Sequence, residues 1–219
     1  MPTPPLTDVE ARVLGALIEK EVTTPDAYPL SPNALAAACN QTSNRDPVMR
    51  LDDDAILQAV VSLRRRGWVR AMQPAGSRIT KYSHLLADQL TLDARDLAVL
   101  GVLLLRGPQT AGELHARTAR LAEFADLAAV EATIEGLIAR AAEPLVARLP
   151  RRPGQKEVRF AHLLSGEPVI PEAPEPPLAS GSHRASPDDR VAALERTVEE
   201  LRTELAELRE RFEAFRAQF

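Results

Sequence analysis

Apolar side chains recur every three or four positions in several stretches of the chain, as on the buried face of a helix. Two of these stretches carry matching triplets, namely Ile56, Val60 and Leu63 in one and Val130, Ile134 and Leu137 in the other. Each triplet is followed by two short runs in which β-branched or aromatic residues alternate with polar ones, which is typical of strands. The pattern therefore predicts helices that are each followed by a β-hairpin.

Four segments of the chain recur later in the same order. Residues 13–17 (VLGAL) match residues 99–103 (VLGVL), and the other pairs are 31–35 with 110–114, 56–63 with 130–137 and 82–86 with 160–164. Chance similarity does not keep such an order, so the sequence indicates two copies of one unit of about eighty residues.

Helix start signals occur at equivalent places in the two copies. Three of them have the capping-box pattern, namely Thr7 with Glu10, Asp93 with Asp96 and Thr110 with Glu113. Ser31 before Pro32 is a further N-cap, and the third helices are expected near residues 52–66 and 127–140. Gly76 and Gly154 fall at equivalent turns between the paired strands, where a positive φ is needed.

The order helix, helix, helix, hairpin is that of a winged helix. We therefore predict a mainly α fold with small β-hairpin wings: two tandem winged-helix domains, at residues 1–87 and 88–164, followed by a C-terminal coiled-coil helix. Residues 97–105 are apolar on every face, so this helix is expected to be buried on more than one side. It lies between the two domains, at a subunit contact, or simply within a core.

The C-terminal part of the chain has a different pattern. Residues 165–187 are rich in proline and predict an extended linker. Residues 188–219 carry an apolar residue at every a and d position of a coiled coil, namely Val191, Leu194, Val198, Leu201, Leu205, Leu208, Phe212, Phe215 and Phe219. We expect this helix to form a homodimer, in parallel or antiparallel orientation. The alternative is that it folds back onto the winged helices of its own chain.

Composition restricts the class of protein. The chain has 219 residues, of which 45% are hydrophobic and 26% charged, as in soluble proteins with a buried core. A single cysteine, Cys39, excludes an internal disulfide framework. The chain lacks the ~20 consecutive apolar residues of a membrane span and the pattern of a signal peptide. A cytoplasmic protein without membrane association is therefore expected.

Several segments together resemble one known family. They are residues 6–20, 22–25 (VTTP), 28–31 (YPLS), 38–49 (ACNQTSNRDPVM), 78–82 (RITKY), 105–114 (LRGPQTAGEL) and 160–166 (FAHLLSG). These segments are similar to the YceH-like family of bacterial proteins of unknown function, and the likeness spans nearly the whole chain outside the linker. The resemblance implies tandem winged helices and a helical tail, and it implies no activity and no catalytic residues.

The sequence does not favour an enzyme. The histidines show no metal-ligand spacing, Cys39 has no CxxC partner, and phosphate-loop and nucleophile-turn motifs are missing. His84 and His162 occupy equivalent sites beside paired leucines, which favours a structural role. Asp52, Asp53 and Asp54 are expected to cap a helix rather than to bind a cation. We therefore expect neither a catalytic residue nor a metal nor a cofactor.

Nucleic-acid binding is the usual function of a winged helix. Two features oppose this function. The net charge is −4, and the third helix of the first copy begins with aspartates, which would repel phosphates. Basic residues around the hairpins, with Arg64, Arg65 and Arg66 beside the first, favour it. The candidate contacts are Asn40, Gln41, Ser43, Asn44, Arg45, Arg70, Arg78, Lys81, Arg148, Arg151, Arg152, Lys156 and Arg159.

An equally ordinary interpretation of these arginines is a solvated surface with some salt bridges. Two functions therefore remain open at this point. The first is a non-enzymatic dimeric binding protein that associates with DNA through its basic hairpins and the loop of residues 40–45. The alternative is a protein–protein interaction scaffold that uses its winged-helix surfaces, without direct DNA binding, to hold an unidentified protein partner.

Overall fold

The computed structural model describes residues 4–74, 76, 78–141, 143–151 and 157–168, and it is mainly helical with two small antiparallel sheets. Within these residues the helices are α1 (Asp8–Thr23), α2 (Pro32–Cys39), α3 (Asp53–Arg65), α4 (Leu86–Leu90), α5 (Ala94–Arg106), α6 (Ala111–Thr118) and α7 (Leu127–Ile138). The strands are β1 (Val69–Met72), β2 (Lys81–His84), β3 (Gln109–Thr110), β4 (Val146–Arg148) and β5 (Arg159–His162). This confirms the predicted mainly α class with small β elements.

The predicted coiled-coil helix, with its candidate dimer residues 191–219, lies outside the described residues. So does the predicted linker, apart from residues 165–168. The predicted division between residues 87 and 88 falls within α4. We refer below to residues 8–84 as the first repeat and to residues 94–162 as the second repeat.

The caps form as their sequence signals predict. The side chains of Ser31 and Asp52 accept hydrogen bonds from backbone amides at the starts of α2 and α3. Asp52 is thus a helix cap, as expected of the first aspartate in its triplet. Reciprocal capping boxes begin α1, α5 and α6, at Thr7 with Glu10, Asp93 with Asp96 and Thr110 with Glu113.

Each hairpin is extended by a contact that the sequence pattern does not predict. In the first repeat Leu30, just before α2, forms a bridge with Tyr82 of β2. In the second repeat Gln109 of β3, just before α6, pairs with Phe160 of β5. The four residues hold equivalent positions in the two repeats. The same backbone pairing therefore occurs in both.

Two hydrophobic cores lie side by side, one in each repeat. Leu14, Leu35 and Leu63 are fully buried in the first core, and Leu100 and Ile134 are fully buried in the second. Helix α5 contributes to both, because Leu104 packs in the first core while Leu100 packs in the second. The strongly apolar stretch of residues 97–105 therefore lies between the cores of the two repeats.

Helices α1 and α5 approach each other closely through equivalent glycines. A Cβ atom placed on Gly15 would lie 2.8 Å from Cγ of Leu105, and one on Gly101 would lie 2.9 Å from Cγ2 of Ile18. Such distances are too short for a side chain to fit without displacing its neighbours. Glycine at both positions is thus what allows the two repeats to pack helix against helix.

Candidate nucleic-acid interface

An exposed cluster of three arginines occupies the end of α3 and the start of the first hairpin. Gly67, at φ +74°, turns the chain after α3, so that β1 runs back beside the helix end. One open depression of about 550 Å³ is therefore lined by Arg64 and Arg65 of α3 and by Arg70 of β1. We call these three residues the arginine patch.

None of the three arginines forms an ion pair with another residue of the described part of the chain. The carboxyl end of α3 carries a partial negative charge that stabilises Arg64 and Arg65 locally. Their guanidinium groups nevertheless face water with five N–H donors each, in the fork geometry that suits phosphate oxygens. The arginine patch can therefore bind a polyanion.

Two further candidate cations lie on the first hairpin. Arg78 is exposed, and Lys81 is half-buried opposite Met72. Tyr82, the residue after Lys81, is buried in the core. Ser83 and His84 of the same strand are also buried, so burial in β2 does not follow the simple alternation of inward and outward residues expected of a strand. Gly76 has φ +79°, as the turn requires, whereas Gly154 lies outside the described residues.

The second hairpin holds its cations differently. Arg148 pairs with Glu135, with its guanidinium 5.7 Å from the ring centre of Phe160. Arg159 lies 3.0 Å from the carboxylate of Glu113. Both arginines thus have an acidic partner within the chain. Arg151 is exposed, and the candidates Arg152 and Lys156 lie in a gap of the described ranges.

The loop of residues 40–45 directs most of its polar groups inward. The amide of Asn40 makes two hydrogen bonds with the backbone of Leu51, at 2.8 and 2.7 Å. The side-chain oxygen of Asn44 accepts a hydrogen bond from Arg106 of α5. Ser43 is exposed. The amides that the sequence assigns to phosphate contacts mainly fix this loop to its own protein.

Arg45 lies in the interior rather than at the surface. Its guanidinium donates to Glu19 of α1, to the carbonyl of Ala38 and to the side-chain oxygen of Gln41. Arg120, which follows α6, pairs with the same carboxylate through Oε1 of Glu19. Burial raises the pKa of Glu19, but hydrogen bonding and positive charge from Arg45, with the charge of Arg120, outweigh it and lower that pKa overall. Glu19 therefore links the two repeats.

A second buried arginine is not identifiable from the sequence. Arg12 of α1 is 2% exposed and donates to the carbonyls of Cys39 and Pro47, at 3.1 and 2.6 Å. Burial and the nearby charge of Arg45 lower its pKa. Its only signal in the sequence is a charged residue among the apolar positions of α1, which is also compatible with an exposed face.

Titratable side chains elsewhere suit a structural role. His84 lies 2.8 Å from Glu21, and the pKa of His162 is lowered to about 4, chiefly by burial. Among the residues that the structure describes, no group of three or more His, Cys, Asp or Glu side chains could hold a metal ion. The expectations that the chain is not an enzyme and needs no cofactor stay predictions.

In the described ranges no helix has the length and apolar character needed to cross a membrane.

Residues 6–155 match a family described as "Protein of unknown function, DUF480". The chain is 52% identical over 216 residues to a UPF0502 protein of Geobacter metallireducens, covering 98% of both. It is 48% identical to a UPF0502 protein of Azoarcus sp., over 98% of this chain and 94% of the relative. A UPF0502 protein of Opitutus terrae is 48% identical, over 92% and 85% respectively.

Proposed function

Because the chain belongs to the DUF480 (UPF0502) family of bacterial proteins of unknown function, we propose its function from its own surface: a non-enzymatic binding protein that associates with DNA. Membership agrees with the resemblance to YceH-like proteins expected from the sequence. The proposal has three parts, namely the fold of each repeat, the surface that contacts DNA, and dimerisation.

We interpret each repeat as a winged helix. Support comes from the element order, since three helices precede a two-stranded hairpin in both repeats. Further support comes from the equivalent pairing of Leu30 with Tyr82 and of Gln109 with Phe160. This pairing joins the segment before the second helix to the last strand of the hairpin. Such an arrangement supports a helical face and a hairpin that can contact a duplex together.

The observation that carries the proposal is the arginine patch, whose three guanidinium groups face water. Asp53 and Asp54 are exposed at the opposite end of α3 and would repel phosphates there. We therefore place the duplex at the carboxyl end of α3 and along the first hairpin, with Arg78 and Lys81 as further contacts. The amino-terminal turn of α3 does not enter the major groove in this arrangement.

Other candidates contribute less in this arrangement. Arg45 has no part in it, because its guanidinium is buried against Glu19. Arg148 and Arg159 would first have to leave their glutamate partners. Arg151 is exposed and stays a candidate. Arg152 and Lys156 stay predictions from the sequence alone.

Salt-dependent titration tests the proposal. Fluorescein-labelled duplex DNA is titrated with the full chain at several salt concentrations, and anisotropy is measured. Five phosphate contacts, from the arginine patch with Arg78 and Lys81, predict a log–log slope of about −4.5. The triple variant R64E/R65E/R70E is expected to flatten the slope to about −2. R95E, an exposed arginine of α5, is the control for a charge change elsewhere. No binding at low salt, or equal slopes for the triple variant and wild type, would disprove this function.

Dimerisation through residues 188–219 belongs to the same proposal. The apolar a and d positions, which end in three phenylalanines, favour association of two chains. Two chains would present two arginine patches to one duplex and thereby strengthen individually weak contacts. Removal of residues 188–219 is then expected to halve the mass measured by light scattering. An unchanged mass would mean that this apolar stripe is used within a single chain.

The second candidate function is a protein-interaction scaffold without direct DNA binding. Two observations favour it. Asn40 and Arg45 are engaged inside the chain rather than at the surface. Large apolar side chains, Leu57 of α3 and Ile79 just before β2, are instead exposed, at 49% and 57%. Absence of DNA binding at every salt concentration would favour the protein-interaction scaffold over the DNA-binding function.

A further inference from the structure

An open groove lies on the first repeat between α2, α3 and β2. It encloses about 390 Å³, and its lining includes Leu35, Ala36, Leu57, Val60, Ile79 and Tyr82. We infer that this apolar groove binds a short apolar segment of a partner protein that carries a lysine or arginine at one end. The inference rests on the second candidate function, protein binding, and does not depend on DNA association.

The groove combines a buried floor with exposed rims. Leu35 and Val60 are 0% and 1% exposed, so the floor belongs to the hydrophobic core and is rigidly packed. Leu57 and Ile79 are 49% and 57% exposed on the rims. Apolar side chains of a partner would bury the exposed apolar surface of these two rim residues, which is favourable, and would pack against a floor that is already formed. The apolar groove therefore favours an apolar occupant.

Negative charge at one end of the groove determines which apolar segments can bind there. Asp53 and Asp54 line the groove at the start of α3, and neither forms an ion pair within the described part of the chain. A lysine or arginine of the occupant would meet two carboxylates there, and an acidic segment would meet repulsion. The same carboxylates keep phosphate groups away. The apolar groove and the arginine patch are thus separate surfaces on one helix.

The second repeat does not carry the same groove chemistry. Glu131 of α7 takes the position that Leu57 has in α3, so a charge replaces the apolar rim. Leu127 is exposed to a similar extent, at 41%, but it is the first residue of α7. It takes the position of Asp53, at the start of the helix, rather than that of an apolar rim residue. Leu127 therefore provides a matched control for substitution of Leu57.

A pair of synthetic peptides tests the inference with the full-length chain. One is a short fluorescein-labelled amphipathic peptide of leucine and lysine, and in the other every lysine is glutamate. We expect saturable binding of the lysine peptide and at least ~10-fold weaker binding of the glutamate peptide. L57A is expected to weaken binding of the lysine peptide about 5- to 10-fold, because it removes an apolar rim. D53N/D54N is expected to reduce the discrimination between the peptides.

Matched variants separate binding in the apolar groove from general adhesion. L127A is expected to bind the lysine peptide as wild type does, and circular dichroism verifies that L57A and D53N/D54N remain folded. Equal weakening by L57A and L127A would indicate adhesion to any exposed leucine and overturn the inference, as would wild-type affinity in L57A. R64E/R65E/R70E is expected to leave peptide affinity unreduced while weakening DNA binding. Failure of the DNA proposal would therefore be distinguishable from failure of this one.

Discussion

Arg45 donates hydrogen bonds of 3.2 and 2.6 Å to the two carboxylate oxygens of Glu19, and neither side chain is accessible to water. A buried ion pair is stable only when both charges and their remaining hydrogen-bonding groups have partners. Ala38 and Gln41 supply partners to Arg45, and Arg120 supplies one to Glu19. The loop after α2 is therefore anchored to α1, and α1 is anchored to the second repeat.

Removal of Arg45 is expected to destabilise the protein strongly. R45A leaves the carboxylate of Glu19 without its main partner in the interior, so the free energy of unfolding should fall by about 3–5 kcal/mol. Urea denaturation measures this. R148A is the matched control, because Arg148 pairs with Glu135 at the surface. Its effect should be about 0–1 kcal/mol, and similar losses in the two variants would contradict a buried role for Arg45.

The close packing of α1 against α5 predicts opposite effects for alanine at different helical glycines. G15A and G101A each place a Cβ within 3 Å of a neighbouring side chain, so each should lower the free energy of unfolding by about 1–3 kcal/mol. Gly136 of α7 has no neighbouring atom within 4 Å of such a Cβ. G136A should therefore raise stability by roughly 0.5–1 kcal/mol, through helix propensity. Thermal or urea unfolding compares the three variants, and a stable G15A would refute the packing argument.

Stability is expected to depend on the pH through His162. Its pKa is lowered from 6.5 to about 4, chiefly by burial, with Asp8 acting weakly in the other direction. In the unfolded chain the imidazole of His162 therefore becomes protonated near pH 6.5, whereas in the folded chain it becomes protonated only at about pH 4. The contribution of His162 is fully present above pH 6.5, and it declines by up to roughly 3 kcal/mol as the pH falls to 4.

The variant H162Q isolates that contribution, because glutamine does not titrate in this range. Urea denaturation at pH 7, 6 and 5 should show a steeper loss of stability in wild type than in H162Q. Parallel curves for the two proteins would mean that His162 titrates alike in the folded and unfolded states.

Cys39 is expected to be unreactive in the folded protein. It is fully buried, and burial raises the pKa of its thiol to about 12, so little thiolate forms at neutral pH. Ellman's reagent should modify native protein slowly and protein in guanidinium chloride rapidly. Because Cys39 is the single cysteine of the chain, the reaction reports on one site. Equal rates in the two conditions would contradict the buried position.

Local signals are the most predictable from sequence. The capping boxes of α1, α5 and α6 each depend on residues three positions apart, so spacing alone identifies them. The third helix of each repeat is also located to within two residues, because its apolar face has helical spacing. These features need no knowledge of what the helix packs against.

Partners that are distant in the chain are not predictable in the same way. Nothing near Arg45 in the sequence shows that Glu19 lies against it, so its polar loop has the pattern of a surface. Arg148 and Arg159 likewise find glutamates on α7 and α6, which strand alternation does not reveal. Even the pairing of Leu30 with Tyr82 depends on the whole repeat folding. The identity of free surface cations therefore requires the tertiary structure.

Helices α1 and α5 interlock through Gly15 and Gly101, while Glu19 holds Arg120 of the other repeat. These contacts hold the two repeats together, so the hairpin β1–β2 and the hairpin β4–β5 are expected to keep a fixed separation. A macromolecule that touches both must present its two contact points at a single fixed interval. Ligands that differ only in that interval, such as duplexes with an altered gap between two short sites, would be told apart by geometry alone.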